Sequence, residues 1–170
     1  DMEESQEAFL RKLRATFQAE AAGHVQAIVS ELVVLERAGA AEAGAVLQRI
    51  LGTLHTLKGA ARAVAMEDVE LLCHAMESLC GAWRGQPGPQ AAGQFDLLHQ
   101  ACELIAALMA DPGPRTRNKG MALVRQLEAL AGAPAQAAAP DPGPASEPGA
   151  EPAAQAQPRP DKLRIHGRDL

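Results

Sequence analysis

Five residues carry groups suited to nucleophilic transfer chemistry: His55, Lys58 and Gly59 within His55-Thr56-Leu57-Lys58-Gly59-Ala60-Ala61-Arg62, and, further along, His74 and Glu77. Read as a helix at about 100° per residue, the first stretch gathers Ile50, Leu54, Leu57 and Ala61 within about 60° of one another. His55, Lys58, Gly59 and Arg62 fall roughly 80 to 180° from that stripe, so the imidazole points outward. Lys58 at i+3 and Gly59 at i+4 border it on the same surface, one a cation and the other an absent side chain. Glycine in a helix interior costs about 1 kcal/mol relative to alanine. In a chain that uses alanine freely, close approach by another molecule accounts for that choice.

The second step uses antiparallel packing. If the connection between this helix and the next is centred near Met66, residues equally far from it on either side share a level. Glu77 then faces His55, and His74 faces Lys58. A carboxylate that accepts a hydrogen bond from one ring nitrogen fixes the tautomer and leaves the other nitrogen bare. That arrangement would equip His55 to attack phosphorus.

The elements that must position these groups are helices. Leucine and alanine dominate the apolar residues, aromatics make up 2% and tyrosine is absent, which excludes a large β-sandwich or barrel. From Glu3 to about Arg37, Phe9, Leu10, Leu13, Phe17, Ala21, Val25, Ile28, Leu32 and Leu35 recur at helical steps, and Gly39 is expected to end that helix as a left-handed cap. A second helix is expected from about Ala41 to Val64. A third follows Ala65-Met66, with Glu67 and Asp68 at its start and Val69, Leu72, Met76, Leu79 and Trp83 on its stripe. It stops at Gly85-Gln86-Pro87-Gly88-Pro89. A fourth runs from about Gln90 to Ala110, and a fifth, shorter helix uses Met121, Val124, Leu127 and Leu130 and ends near Gly132. The fold class is all-α: an antiparallel four-helix bundle with an additional C-terminal fifth helix, followed by a disordered linker.

The domain division follows composition: residues 1–132 as the bundle, 133–160 as a Pro- and Ala-rich disordered linker, and 161–170 as the start of a following element, the chain being a fragment of something longer. The linker would reach roughly 30 Å as a flexible coil, or up to about 85 Å if stiffened into polyproline II. A formal net charge of -5 and the lack of a basic run make nucleic acid an improbable partner. No apolar stretch approaches the roughly 20 residues of a membrane span, so no direct membrane insertion is expected. Cys73, Cys80 and Cys102 contain no C-x-x-C and read as buried thiols of a cytoplasmic protein. Metal is the rival use of the same polar residues, but one reversed His-x-x-Glu without a second copy is not the repeated set a di-iron bundle needs. His24, His99 and His166 lack such partners and read as structural or solvated.

The stretch His55-Thr56-Leu57-Lys58-Gly59-Ala60-Ala61 resembles the H-x-x-K-G motif of histidine phosphotransfer (Hpt) domains. With His74-Ala75-Met76-Glu77-Ser78-Leu79 it is similar to the N-terminal phosphotransfer domain of chemotaxis histidine kinases of the CheA type, over about Glu3 to Ala131. The resemblance implies that His55 is phosphorylated by the ATP-binding kinase domain of the same or the partner protomer, and passes the phosphoryl group to an aspartate on a response regulator receiver domain. It further implies that Glu77 holds and polarises His55, Lys58 stabilises the phosphoryl charge, His74 supports the network and Gly59 leaves room for the incoming domain. No ATP-binding Gly-rich motif occurs, so ATP-Mg belongs to a separate kinase domain and no cofactor is expected in this fragment. Many members carry Gly where Ala65 stands. The alternative is a helical adaptor that keeps the motif and binds partners without carrying phosphate.

Overall fold

A computed structural model describes residues 2–84 and 90–132. The 133–160 linker, the 161–170 element and the Gly-Pro break at 85–89 lie outside the described residues. Five helices follow in order: α1 (Met2–Arg37), α2 (Ala40–Ala63), α3 (Glu67–Trp83), α4 (Ala92–Ala110) and α5 (Pro114–Ala131). Helices α1 to α4 form a closed ring in which α1 packs on α2, α2 on α3, α3 on α4 and α4 on α1. Helix α5 lies against α3 and α4. Arg117 meets Asp68 at 3.1 Å and the Gly120 backbone sits beside Leu72, so α5 runs parallel to α3. Among the described residues no helix is long and apolar enough to cross a membrane.

The apolar stripes meet in one core of Ile28, Leu32, Ile50, Leu54, Leu57, Leu72, Met76, Leu79, Leu98, Ile105, Leu108 and Leu127, each almost wholly shielded from solvent. Buried alanines at 21, 61, 75 and 101 let the helices approach closely. Two aromatics close one end: Trp83 and Phe95 stack at a tilt with ring centroids 5.2 Å apart, and Trp83 Nε1 donates to Gln94 Oε1 at 2.9 Å.

Three local expectations are corrected. Phe9, Leu10 and Leu13 continue the periodicity of α1 but remain 63%, 43% and 36% exposed, and its buried stripe begins at Phe17. The reason is length: α1 has 36 residues and α2 only 24, so the first turns of α1 extend past the helix it packs on. The fifth helix is not short. It starts at Pro114, with proline at its first turn where no N–H is needed, and its 18 residues exceed the 17 of α3. Its buried residues are Gly120, Leu123, Val124 and Leu127, while Leu130 is exposed.

Gly39, finally, is extended (φ -71, ψ 165) and precedes α2 as its N-cap. Left-handed backbone occurs instead at Gly132, which caps α5, and at Ala65 (φ 57). At Ala65 the chain makes a Schellman turn: Met66 N–H donates to the Ala61 carbonyl at 2.9 Å and Ala65 N–H to the Arg62 carbonyl at 3.1 Å. This turn satisfies the Ala61 and Arg62 carbonyls near the end of α2 and fixes the register of α3 against it.

Candidate functional site

The site is built on the outer seam of α2 and α3. Leu54, Leu57 and Ala61 are buried and anchor α2, which leaves His55, Gly59 and Arg62 on the exposed face. On α3, burial of Leu72, Cys73, Ala75, Met76, Leu79 and Cys80 turns Glu70, His74 and Glu77 toward the edge shared with α2. The turn at Ala65-Met66 then brings these two edges together level by level.

His55 presents 75% of its side chain to solvent, and its Nδ1 lies 3.4 Å from Glu77 Oε1. Lys58 Nζ lies 2.7 Å from the other oxygen, Oε2. Oε2 is buried and, among the described residues, accepts no hydrogen bond of good geometry, so the ammonium reaches it as an oblique ion contact. Glu77 itself is only 17% exposed and Lys58 21%. One half-buried carboxylate thus holds an outward imidazole on one oxygen and a cation on the other, and the Nε2 edge of the ring is the edge turned away from Glu77.

His74 does not join this arrangement. Its imidazole is exposed and makes no hydrogen bond or ion pair among the described residues, while its carbonyl accepts from Ser78 Oγ at 3.0 Å. The level of His74 is the expected one, but the long Lys58 side chain turns to Glu77 in place of facing it. Gly59 is exposed, and a Cβ built on it would meet no atom of the described residues within 4 Å. Packing between helices therefore does not require glycine there. Among the described residues no group of three or more His, Cys, Asp or Glu comes together that could hold a metal ion.

Beneath the seam lie three free cysteines, all buried. Burial pushes the Cys73 thiol up to about 12, helped by the neighbouring Glu77 charge. Burial does the same for Cys80 and Cys102, each to about 12. These thiols are packing groups, with no thiolate character at neutral pH.

The chain matches the family model of the Hpt domain over residues 12–109, a span that contains the whole α2–α3 seam. The chain belongs to the Hpt domain family. Hpt domains carry out phosphotransfer in two-component signalling and interact with kinases and response regulators. The match ends before α5. Comparison with curated proteins and with solved structures gives no match.

One further pair on this Hpt surface was not singled out by sequence. Arg62 Nε donates to Glu70 Oε1 at 2.7 Å across the same seam. The register that pairs His55 with Glu77 about Met66 also pairs Arg62 with Glu70, so the signal was present in the spacing.

Proposed function

We propose that this Hpt domain is the phosphotransfer module of a chemotaxis-type histidine kinase and that His55 is its phosphoryl carrier. The observation that supports the reading most directly is the exposed His55 ring with Nδ1 facing Glu77 and its opposite nitrogen open. The likeness of the His74–Leu79 stretch to chemotaxis kinases supports the narrower assignment.

In this reading the Nε2 lone pair of His55 attacks the γ-phosphorus of ATP held, with magnesium, on a separate kinase domain. An N–P bond forms, the P–O bond to the β-phosphate breaks, and ADP leaves. Bond formation places positive charge on the ring. Glu77, accepting from Nδ1–H, offsets that charge and keeps Nε2 as the free nucleophile. Lys58 sits one turn along the same face and faces the negative charge of the phosphoryl oxygens. Discharge reverses the bonding: a receiver aspartate oxygen attacks phosphorus, the N–P bond breaks, and neutral imidazole returns. Gly59 leaves the backbone open for both partners, and His74 contributes an exposed imidazole beside their path. The setting is the cytoplasm, where ATP and reduced thiols occur together.

The test is incubation of the chain with a CheA-type kinase domain and radiolabelled ATP. The expected label is acid-labile and alkali-stable, disappears in His55→Gln, and moves to a receiver domain on mixing. Label that persists in His55→Gln would remove His55 from the role. A chain that binds these partners but takes no label would leave the adaptor reading in its place.

A further inference from the structure

The α2–α3 seam has a second rung that the chemistry at His55 does not use. Arg62 follows His55 by seven residues, which places it about 20° away around α2 and about 10 Å further along it, on the same face. Its guanidinium meets Glu70 through Nε alone, at 2.7 Å. Arg49 shows the closed alternative on this helix: Nε and Nη2 donate to the two oxygens of Glu31, each at 3.1 Å. Arg62 is open by comparison. Among the described residues neither of its Nη groups has a hydrogen-bond partner, and its side chain is 61% exposed against 21% for Glu70. Between Arg62 and His55 lies Gly59, where a Cβ would meet no atom of the described residues within 4 Å. The face therefore offers a bare imidazole edge and a planar double donor, separated by a gap that a partner's surface can enter.

We infer that Arg62 is a docking residue for the receiver domain: its two Nη groups donate to a carboxylate of that partner, about 10 Å from the phosphoacceptor, while Glu70 holds the guanidinium from behind. The inference rests on the phosphotransfer reading of His55 and adds a determinant of partner choice to it. A fork of N–H donors matches a carboxylate in two parallel hydrogen bonds, which a lysine cannot reproduce. An exposed ion pair such as Arg62–Glu70 adds little to stability, so the fold does not depend on it. A charge at the rim of an interface acts mainly on encounter and is weakened by salt. Its loss should therefore appear in KM, not in the chemical step.

The experiment separates loading from docking. The full chain is phosphorylated with phosphoramidate, a donor too small to need a docking surface. Transfer is then followed to whichever receiver domain of a purified panel discharges the wild-type chain fastest. Arg62→Glu is expected to load at the wild-type rate but to lose about tenfold or more in kcat/KM for transfer at low salt, with the loss in KM. Arg62→Lys should recover part of that loss, and high salt should narrow the difference between wild type and Arg62→Glu. Arg62→Glu that transfers like wild type, or that loses kcat or loading instead, overturns the inference. A wild-type chain labelled at His55 neither by phosphoramidate nor by the kinase domain with ATP overturns the phosphotransfer reading itself, a result distinguishable from the other two.

Discussion

His55 and Lys58 are held by the same carboxylate: Glu77 meets the ring nitrogen with Oε1 at 3.4 Å and the ammonium with Oε2 at 2.7 Å. The two contacts do different work. In the proposed mechanism the first would leave Nε2 as the bare nitrogen of His55, and the second would keep a cation near the phosphoryl oxygens. Glu77→Gln keeps the size of the side chain but removes the charge that offsets the phosphorylated ring. It is expected to slow phosphorylation of His55 by about tenfold to a hundredfold, short of a full acid–base effect because Glu77 orients and does not transfer the proton. Circular dichroism should show the helices intact. An unchanged rate of labelling would mean that the tautomer is set by something other than Glu77.

Gly59→Ala is expected to exchange function for stability. Among the described residues nothing occupies the space above Gly59, so the substitution meets no clash there and gains about 1 kcal/mol of helix propensity. The melting temperature should rise while transfer to and from protein partners falls. Loading by phosphoramidate should change little. A variant that is more stable and transfers at the wild-type rate would show that the gap at residue 59 serves no partner.

The pairing of His55 with Glu77 was legible because it depends only on where the turn falls, and a short connection at Ala65-Met66 leaves little freedom in the register. The ring of four helices was legible for a similar reason: each stripe of leucines and alanines is long enough to assign a face. What lay beyond reach depended on partners or on side-chain length. The Phe9, Leu10 and Leu13 pattern marks a helix but does not say that α2 ends before reaching them. The start of α5 is polar from Arg115 to Lys119, and Gly120 packs against Leu108 and Leu72 with backbone, which an apolar pattern does not register. Register arithmetic placed His74 opposite Lys58, but the flexible stem of lysine reaches the better partner, Glu77.

Ala65 carries backbone strain that a single substitution should relieve. Its φ of 57 lies in the left-handed region, which costs a residue with a Cβ about 1 to 2 kcal/mol. Glycine removes that cost and gives back part of the gain through the greater entropy of the unfolded chain. Ala65→Gly is therefore expected to stabilise the domain by about 0.5 to 1 kcal/mol, read as a higher urea midpoint with an unchanged slope. Phosphorylation of His55 should be unaffected, since the turn and its two hydrogen bonds are kept. A lower midpoint would mean that Ala65 is not strained as its dihedral implies.

The buried thiols make stability depend on alkaline pH, and the sign follows from which state holds the protons. Cys73, Cys80 and Cys102 titrate near 12 when folded, mainly because burial disfavours the thiolate, against an ordinary value of 9.0. Below pH 9 both states are protonated and the stabilising contribution is complete. Between 9 and 12 the unfolded chain loses protons that the folded chain retains, so unfolding becomes easier as pH rises, by about 1.4 kcal/mol per pH unit for each thiol at most. The melting temperature should fall steeply from pH 9 upward, and Cys80→Ala should flatten that fall even where the lost packing lowers its stability at pH 7. Iodoacetamide at pH 8 should label none of the three thiols until the helices unfold. Rapid labelling of the native chain, or the same alkaline slope in Cys80→Ala and wild type, would contradict the burial that holds these protons in place.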